Sequence, residues 1–316
     1  MIERNIEIIK LLSDLGANPK KIGAALGPQA FLDYDKDRLG LFTGIPVHTI
    51  EQTTKRDSYD ELIDNCKFID AIYSHLNTST EKILETLRFN KFPFIFSGDH
   101  SNASAAIAAI RANYPKAKIG VIWIDAHADL HTPYTTPSGN MHGMPVAMSI
   151  AEDNKNQLKH QLIGSGLDYW EKIKDLGVQG KGNISFQDIM FIDIRNLEPE
   201  EWDLIHKNRV LYTTPETRKE QGIEHVIQLT KTFSASFDYI YVSFDIDSLD
   251  ESLVPGTGTR VENGLSLKEA GQLLHHLYQL PNLAAFEITE INPILDIDNT
   301  TLKNVYEVIK DMARVS

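Results

Sequence analysis

Short runs of β-branched and aromatic residues alternate along this chain with longer stretches whose apolar positions recur at helical spacing. Phe92–Ser97, Lys118–Ile124, Ile189–Ile192 and Tyr239–Phe244 read as strands, with Ala284–Ile288 a shorter fifth. Helical spacing marks Ser101–Asn113, rich in alanine and isoleucine, and also Tyr59–Leu87, Glu200–Lys207, Ser266–Tyr278 and Asn299–Met312. The run Ile6–Leu12 fits a strand or a helix by periodicity alone. Strands apolar on both faces and separated by helices predict a mostly parallel sheet covered on both sides. The expected fold class is α/β: a single three-layer αβα domain over residues 1–316, with no internal repeat, low-complexity tract or linker.

Composition narrows the partners. The 316 residues carry 31 Lys and Arg against 44 Asp and Glu, a net charge of −13. A surface that acidic repels phosphate backbones and anionic lipid, which argues against nucleic-acid and membrane partners and for a small-molecule one. Cys66 is the single cysteine, so neither an intramolecular disulfide nor a thiolate zinc site can form. The N-terminus lacks the basic and apolar segments of a signal peptide, and no apolar run approaches the roughly 18 residues of a membrane span. These features predict a cytoplasmic protein.

Ligands of open parallel sheets bind beyond the carboxyl ends of the strands. Ser97-Gly98-Asp99-His100-Ser101 follows the first predicted strand, Asp125-Ala126-His127-Ala128-Asp129 the second, and Asp245-Ile246-Asp247 the fourth. In an extended chain alternate side chains share a face, which would aim Asp125, His127 and Asp129 together, and Asp245 with Asp247. Carboxylates crowded at one sheet edge repel one another unless protons or cations neutralise them. Four aspartates balance two divalent ions. Histidine and carboxylate without thiolate suit Mn²⁺, with Fe²⁺, Co²⁺ or Zn²⁺ also admissible. A metal pair of this kind acidifies a bridging water at neutral pH. A weaker pattern, Asp296-Ile297-Asp298-Asn299-Thr300 with Glu307, matches several EF-hand positions but has Thr301 where that loop needs glycine. A cap for the last helix is the expected reading there.

Taken together, the three clusters resemble the metal motifs of the ureohydrolases, the arginase and agmatinase family, whose first motif is normally Gly-Gly-Asp-His-Ser. The likeness runs from Leu15-Gly16-Ala17 and Leu26-Gly27-Pro28 to Glu290-Ile291-Asn292-Pro293. It implies a binuclear manganese site in an αβα fold. His100, Asp125, Asp129 and Asp245 would hold one ion; Asp125, His127, Asp245 and Asp247 would hold the other, with Asp125 and Asp245 bridging. Ser138-Gly139-Asn140-Met141-His142-Gly143-Met144-Pro145 is similar to the arginase loop, in which the serine and asparagine bind the substrate α-carboxylate. That places Ser138 and Asn140 on the head group and His142 as proton shuttle. By the same resemblance Glu290 holds the guanidinium and Thr259 lies near the substrate.

Three departures bear on specificity. His131 stands where arginases usually carry an asparagine that helps bind the α-carboxylate. In Ile194-Arg195-Asn196-Leu197-Glu198-Pro199, Asn196 and Glu198 replace two aspartates, the second of which binds the α-amino group. The resemblance implies hydrolysis of L-arginine to L-ornithine and urea by a metal-bridging hydroxide, with Asp129 accepting a hydrogen bond from the attacking oxygen. It also implies a homo-oligomer, a trimer or hexamer. Alternatives are an agmatinase or another guanidino-acid amidinohydrolase with the same chemistry, a zinc deacetylase of similar fold, and a catalytically silent metal-binding homologue.

Overall fold

The computed structural model describes residues 4–54, 63–178 and 182–313. Its core is an eight-stranded sheet in which every pairing is parallel, ordered β2-β1-β3-β8-β7-β4-β5-β6. The strands are β1 (Ile6–Leu12), β2 (Val47–Glu51), β3 (Phe92–Ser97), β4 (Ile119–Ile124), β5 (Ile189–Ile192), β6 (Leu211–Tyr212), β7 (Tyr239–Asp245) and β8 (Leu283–Thr289). The helices are α1 (Gly27–Lys36), α2 (Ile69–Arg88), α3 (Ala103–Asn113), α4 (Pro145–Ile150), α5 (Gly164–Lys174), α6 (Pro199–Asn208), α7 (Pro215–Gln221), α8 (Ile223–Ser234), α9 (Leu267–Tyr278) and α10 (Thr300–Ala313).

Two apolar layers sandwich the sheet. On one face α2, α3, α4, α5 and α6 pack against Ile9, Leu11, Ile95, Val121, Trp123 and Phe191. On the other, α1, α8, α9 and α10 pack against Ile8, Phe94, Phe96, Ile122, Ile124 and Phe286. Alternation along β4 makes the point: Val121 and Trp123 face one layer while Ile122 and Ile124 face the other. Strands covered on both sides read as continuous apolar runs, which is why the central five were visible in the pattern. Ile6–Leu12 is a strand, because β1 pairs with both β2 and β3 and buries Ile8, Ile9 and Leu11 on its two faces.

Most helical readings hold to within a residue or two; the long one does not. Helix α2 begins at Ile69, after Phe68 with its left-handed φ of 58°, rather than at Tyr59. Residues 63–68 are turn, and Tyr59–Leu62 lie outside the described residues. The sequence pattern missed β2, β6, α1, α4, α5, α7 and α8. The Asp296 carboxylate accepts the backbone N–H groups of Thr301 at 2.9 Å and Leu302 at 3.0 Å, so it caps α10 rather than building a calcium loop. Among the described residues, no helix is long and apolar enough to cross a membrane.

Strands β3 and β4 are consecutive across the α3 crossover, yet β8 and β7 lie between them. The sheet therefore reverses its direction of growth at its centre, and such a switch point opens a crevice at the strand C-termini.

Candidate metal centre and active site

The four central strands each deliver part of one site. Asp99 and His100 follow β3, Glu290 follows β8, Asp245 ends β7 with Asp247 just beyond, and Asp125 to Asp129 follow β4. Strand alternation does not aim them, contrary to expectation. Beyond β4 the chain bends, with the His127 N–H donating to Asp125 Oδ1 at 2.7 Å and Asp129 at a left-handed φ of 51°. Beyond β7, residues Ile246–Ser248 form a 3-10 turn whose Asp247 N–H donates to Asp245 Oδ1 at 2.8 Å. Asp and Asn side chains close such turns on their own backbone. The same carboxyls thereby fix the turns that present them.

All six metal-ligand candidates meet. His100 Nδ1 lies 3.0 Å from Asp125 Oδ2, 3.1 Å from Asp129 Oδ2 and 3.1 Å from Asp245 Oδ2. His127 Nδ1 lies 3.3 Å from Asp125 Oδ1 and 3.1 Å from Asp247 Oδ2. A ring nitrogen donates along one direction, and three carboxylates around His100 Nδ1 leave it with no well-formed hydrogen bond; Asp129 Oδ2 is equally orphaned. Convergence of this sort fits ligands round a cation better than it fits a hydrogen-bond network. Two overlapping groups, His100/Asp125/Asp245 and Asp125/His127/Asp247, are each compact enough to hold an ion and share Asp125. The donor set is all oxygen and imidazole nitrogen, suited to Mn²⁺ and its neighbours.

Electrostatics tell the same story. Burial, reinforced by the neighbouring Asp125, pushes the Asp129 carboxyl up to about 6. Burial and adjacent aspartates also raise Asp245 and Asp247. Burial opposes charge on His100 and His127, but the surrounding carboxylates overcome it and hold both imidazoles above their ordinary value. Without metal, protons supply the neutralising charge.

A second layer orients the first. The Trp123 indole donates to Asp125 Oδ2 at 3.0 Å and stacks on His100, ring centres 4.1 Å apart. Ser243 Oγ lies 2.8 Å from His100 Nε2; with the proton on Nε2, Nδ1 faces the nest as a lone pair. Asp99 accepts from Gly16 N–H at 2.8 Å and from Ser101, tying the Leu15-Gly16-Ala17 segment over the site. Trp123, Ser243 and Glu201 carry no expectation of a site role from the sequence, and Asp99 appears there only as part of its motif, without a role. Trp123 and Ser243 each precede a metal-ligand candidate by two positions on a strand, so same-face alternation could have found them.

Above the nest opens a cavity of about 310 Å³, lined by His131, Ser138, Asn140, His142, Glu198, Thr259 and Glu290 among others. His142 Nδ1 lies 3.1 Å from Glu290 Oε1, which also accepts the His100 N–H. Glu290 itself sits at a left-handed φ of 68°, a costly conformation for a non-glycine residue and one concentrated at functional sites. The Thr259 hydroxyl donates to Asp247 Oδ2 at 2.8 Å. Ser138 Oγ accepts from the Asn140 N–H at 3.2 Å, and Asn140 Oδ1 accepts from Lys67, which leaves the serine hydroxyl hydrogen and the asparagine amide hydrogens as donors. Gly139 between them has φ 72°, and a Cβ there would come within 1.7 Å of the Asp64 carbonyl.

His131 and Glu198 are engaged with each other, Nε2 to Oε2 at 2.9 Å. The hydrogen bond from His131 holds Glu198 down to about 2; for His131, burial is outweighed by Glu198 and Glu201, and its value rises. Glu201, the capping partner at the start of α6, accepts the N–H groups of Glu198 and Leu130 at 3.1 Å each, and burial pushes it up to about 7. Asn196 also lines the cavity.

The model of the arginase family matches residues 5–314. The chain belongs to the arginase family. Its members are hydrolases that act on amidine C–N bonds and depend on a binuclear metal centre. The chain is 31% identical over 324 residues to an arginase of Staphylococcus aureus, covering 96% of this chain and 95% of that one. It is 29% identical over 322 residues to an arginase of Bacillus subtilis, covering 98% of each. Its fold superposes on the crystal structure of Entamoeba histolytica arginase in complex with L-ornithine with a TM-score of 0.85 at 26% identity, covering 100% of both chains. In a family with a binuclear centre, the buried histidine–aspartate nest at the sheet switch point is a cluster able to hold metal.

Proposed function

We propose that the chain hydrolyses L-arginine to L-ornithine and urea with two Mn²⁺ in this nest. One observation carries the reading: the nest, the His142–Glu290 pair and the Ser138/Asn140 donors all line a single cavity. The Entamoeba relative, similar over its whole length, was solved with L-ornithine, the amine product of that reaction. Divalent cations bound here supply charge to the transition state and acidify a water. His100, Asp125, Asp129 and Asp245 would hold one of them; Asp125, His127, Asp245 and Asp247 the other.

The chain's own residues account for the remaining steps. Glu290 Oε1 already takes two donors, so Oε2 meets an N–H of the substrate guanidinium and fixes the planar group over the nest. Asp129 accepts a hydrogen bond from the attacking water. As the guanidinium carbon turns tetrahedral and the C–N bond breaks, the departing amine needs a proton. His142, held above its ordinary value by Glu290 despite burial, carries one at neutral pH and regains it from solvent. Ser138 and Asn140 donate to the α-carboxylate, Thr259 holds Asp247, and Glu198 with His131 sets the place of the α-amino group.

Urea release from L-arginine by the Mn²⁺-loaded protein tests the reading, and no urea under metal saturation refutes it. A second reading, hydrolysis of agmatine or a different guanidino acid, draws on the His131–Glu198 contact: these two groups satisfy each other where arginases usually carry asparagine and aspartate. A panel of guanidino compounds decides between them. Turnover of arginine at least about tenfold more efficient than of any other member rejects the second reading.

A further inference from the structure

Beside its histidines, the cavity lining carries one permanently charged cation. Arg260 is the only lysine or arginine among its lining residues. The residue is exposed, yet the backbone on both sides of it is anchored. On one side the Thr259 hydroxyl donates to Asp247; on the other, Arg195 donates to the carbonyls of Val261 at 3.1 Å and Glu262 at 2.9 Å. Arg195 also grips the Asp247 carbonyl at 2.7 Å, so one guanidinium staples the Arg260 segment to the turn that bears a metal-ligand candidate.

The acids lining the cavity all have other partners. Asp129 and Asp245 face His100, Asp247 faces His127 and Thr259, Glu290 takes His142, Glu198 takes His131, and Glu201 takes two backbone N–H groups. Among the described residues no carboxylate is paired with Arg260. The cavity lining that holds Ser138 and Asn140 thus also carries, on an anchored stretch of backbone, a guanidinium with no carboxylate partner among the described residues.

We propose that Arg260 selects the substrate head group: it binds the carboxylate of a guanidino acid at the cavity mouth and disfavours guanidino compounds whose far end is a bare ammonium. The proposal rests on the amidinohydrolase reading given above. A guanidinium fork matches a carboxylate and repels an ammonium group, so one residue acts in both directions. Its exposure makes the effect salt-dependent.

The test uses metal-loaded protein as wild type, Arg260→Ala and Arg260→Lys. Calorimetry with ornithine and putrescine, which differ by the carboxylate, reads binding without turnover; kcat and KM for arginine and agmatine read catalysis. Arg260→Ala should weaken ornithine about tenfold, leave putrescine unchanged or tighter, and raise the arginine KM by a similar factor at nearly constant kcat. Arg260→Lys should recover part of the loss, since it restores charge without the fork. The difference between wild type and Arg260→Ala should shrink in high salt. Unchanged ornithine affinity, or an equal loss for ornithine and putrescine, overturns the proposal. Failure of the wild type to release urea from either guanidino compound would refute the catalytic reading instead, and the ornithine–putrescine comparison would still judge Arg260.

Discussion

His142 Nδ1 and the backbone N–H of His100 end on the same oxygen of Glu290, at 3.1 and 3.0 Å. One carboxylate thereby couples the loop histidine to the backbone of a metal-ligand candidate, and it does so from a strained backbone position at the end of β8. Such an arrangement fixes the distance between His142 and the nest.

Glu290→Gln tests that coupling. The amide oxygen can still accept the His100 N–H, so metal content should remain at two ions per chain by elemental analysis. What is lost is the charge that faces His142 and, in the proposed mechanism, the substrate guanidinium. Urea production should fall by about 10²–10³-fold. A variant with near wild-type rate would remove Glu290 from substrate binding, and one that loses metal would make its role structural.

Metal removal should destabilise the protein, because the buried aspartates must then take up protons to avoid repelling one another. Burial first, and then repulsion from neighbouring aspartates, raises Asp245 and Asp247. Chelation should therefore lower the thermal midpoint, and Mn²⁺ should restore it in a concentration-dependent way. Asp245→Asn keeps the Oδ1 that accepts the Asp247 N–H but removes one charge. The metal-free variant should melt above metal-free wild type, while gaining nothing from added Mn²⁺. Equal midpoints for the two metal-free proteins would show that neutralising Asp245 by a proton costs the fold nothing measurable.

The second layer offers a cleaner probe of the nest. Trp123 holds Asp125 Oδ2 by its indole N–H and stacks on His100. Trp123→Phe preserves an aromatic ring for stacking but deletes the donor. Metal affinity, measured by competition with a coloured chelator, should fall by about 10- to 100-fold with the fold intact by circular dichroism. Affinity within a factor of about two of wild type would show that the metals alone orient Asp125.

The central strands were legible because both faces of β3, β4, β5, β7 and β8 are buried, and a short unbroken apolar run suits a strand covered on both sides. Strand β2 was not, because at the sheet edge its residues are partly or fully exposed and carry no run to recognise. The start of α2 was misplaced because helical periodicity continues through residues whose backbone is interrupted at Phe68, a tertiary choice that composition does not encode. The metal-ligand candidates are legible as residue types at strand ends, but strand alternation does not aim them; turns closed by Asp125 and Asp245 on their own backbone do so. The roles of Asp99 and Glu201 were not legible because their partners, Gly16 and Leu130, are backbone N–H groups distant in sequence. The Arg260 staple escaped for the same reason, since Arg195 works through main-chain carbonyls.

Glu7 offers a stability prediction far from the chemistry. On β1 it is buried, yet it accepts from the Thr86 hydroxyl at 2.8 Å, pairs with Lys91 and lies 3.4 Å from His48. Burial alone would raise its value, but Lys91, Thr86 and His48 together bring it from 4.5 down to about 2. Because the folded value lies below the unfolded one, the stabilisation is complete above pH 4.5 and disappears as pH falls through about 2. Glu7→Gln keeps an acceptor for Thr86 and loses the charge. Lys91 is one-third exposed, so solvent screens the pair, and the variant should be about 1 kcal/mol less stable at pH 7. Urea denaturation at a series of pH values should show that gap closing on the acid side, with the two proteins converging near the folded value. A gap that stays constant with pH would mean that Glu7 acts through packing against α2 rather than through its charge.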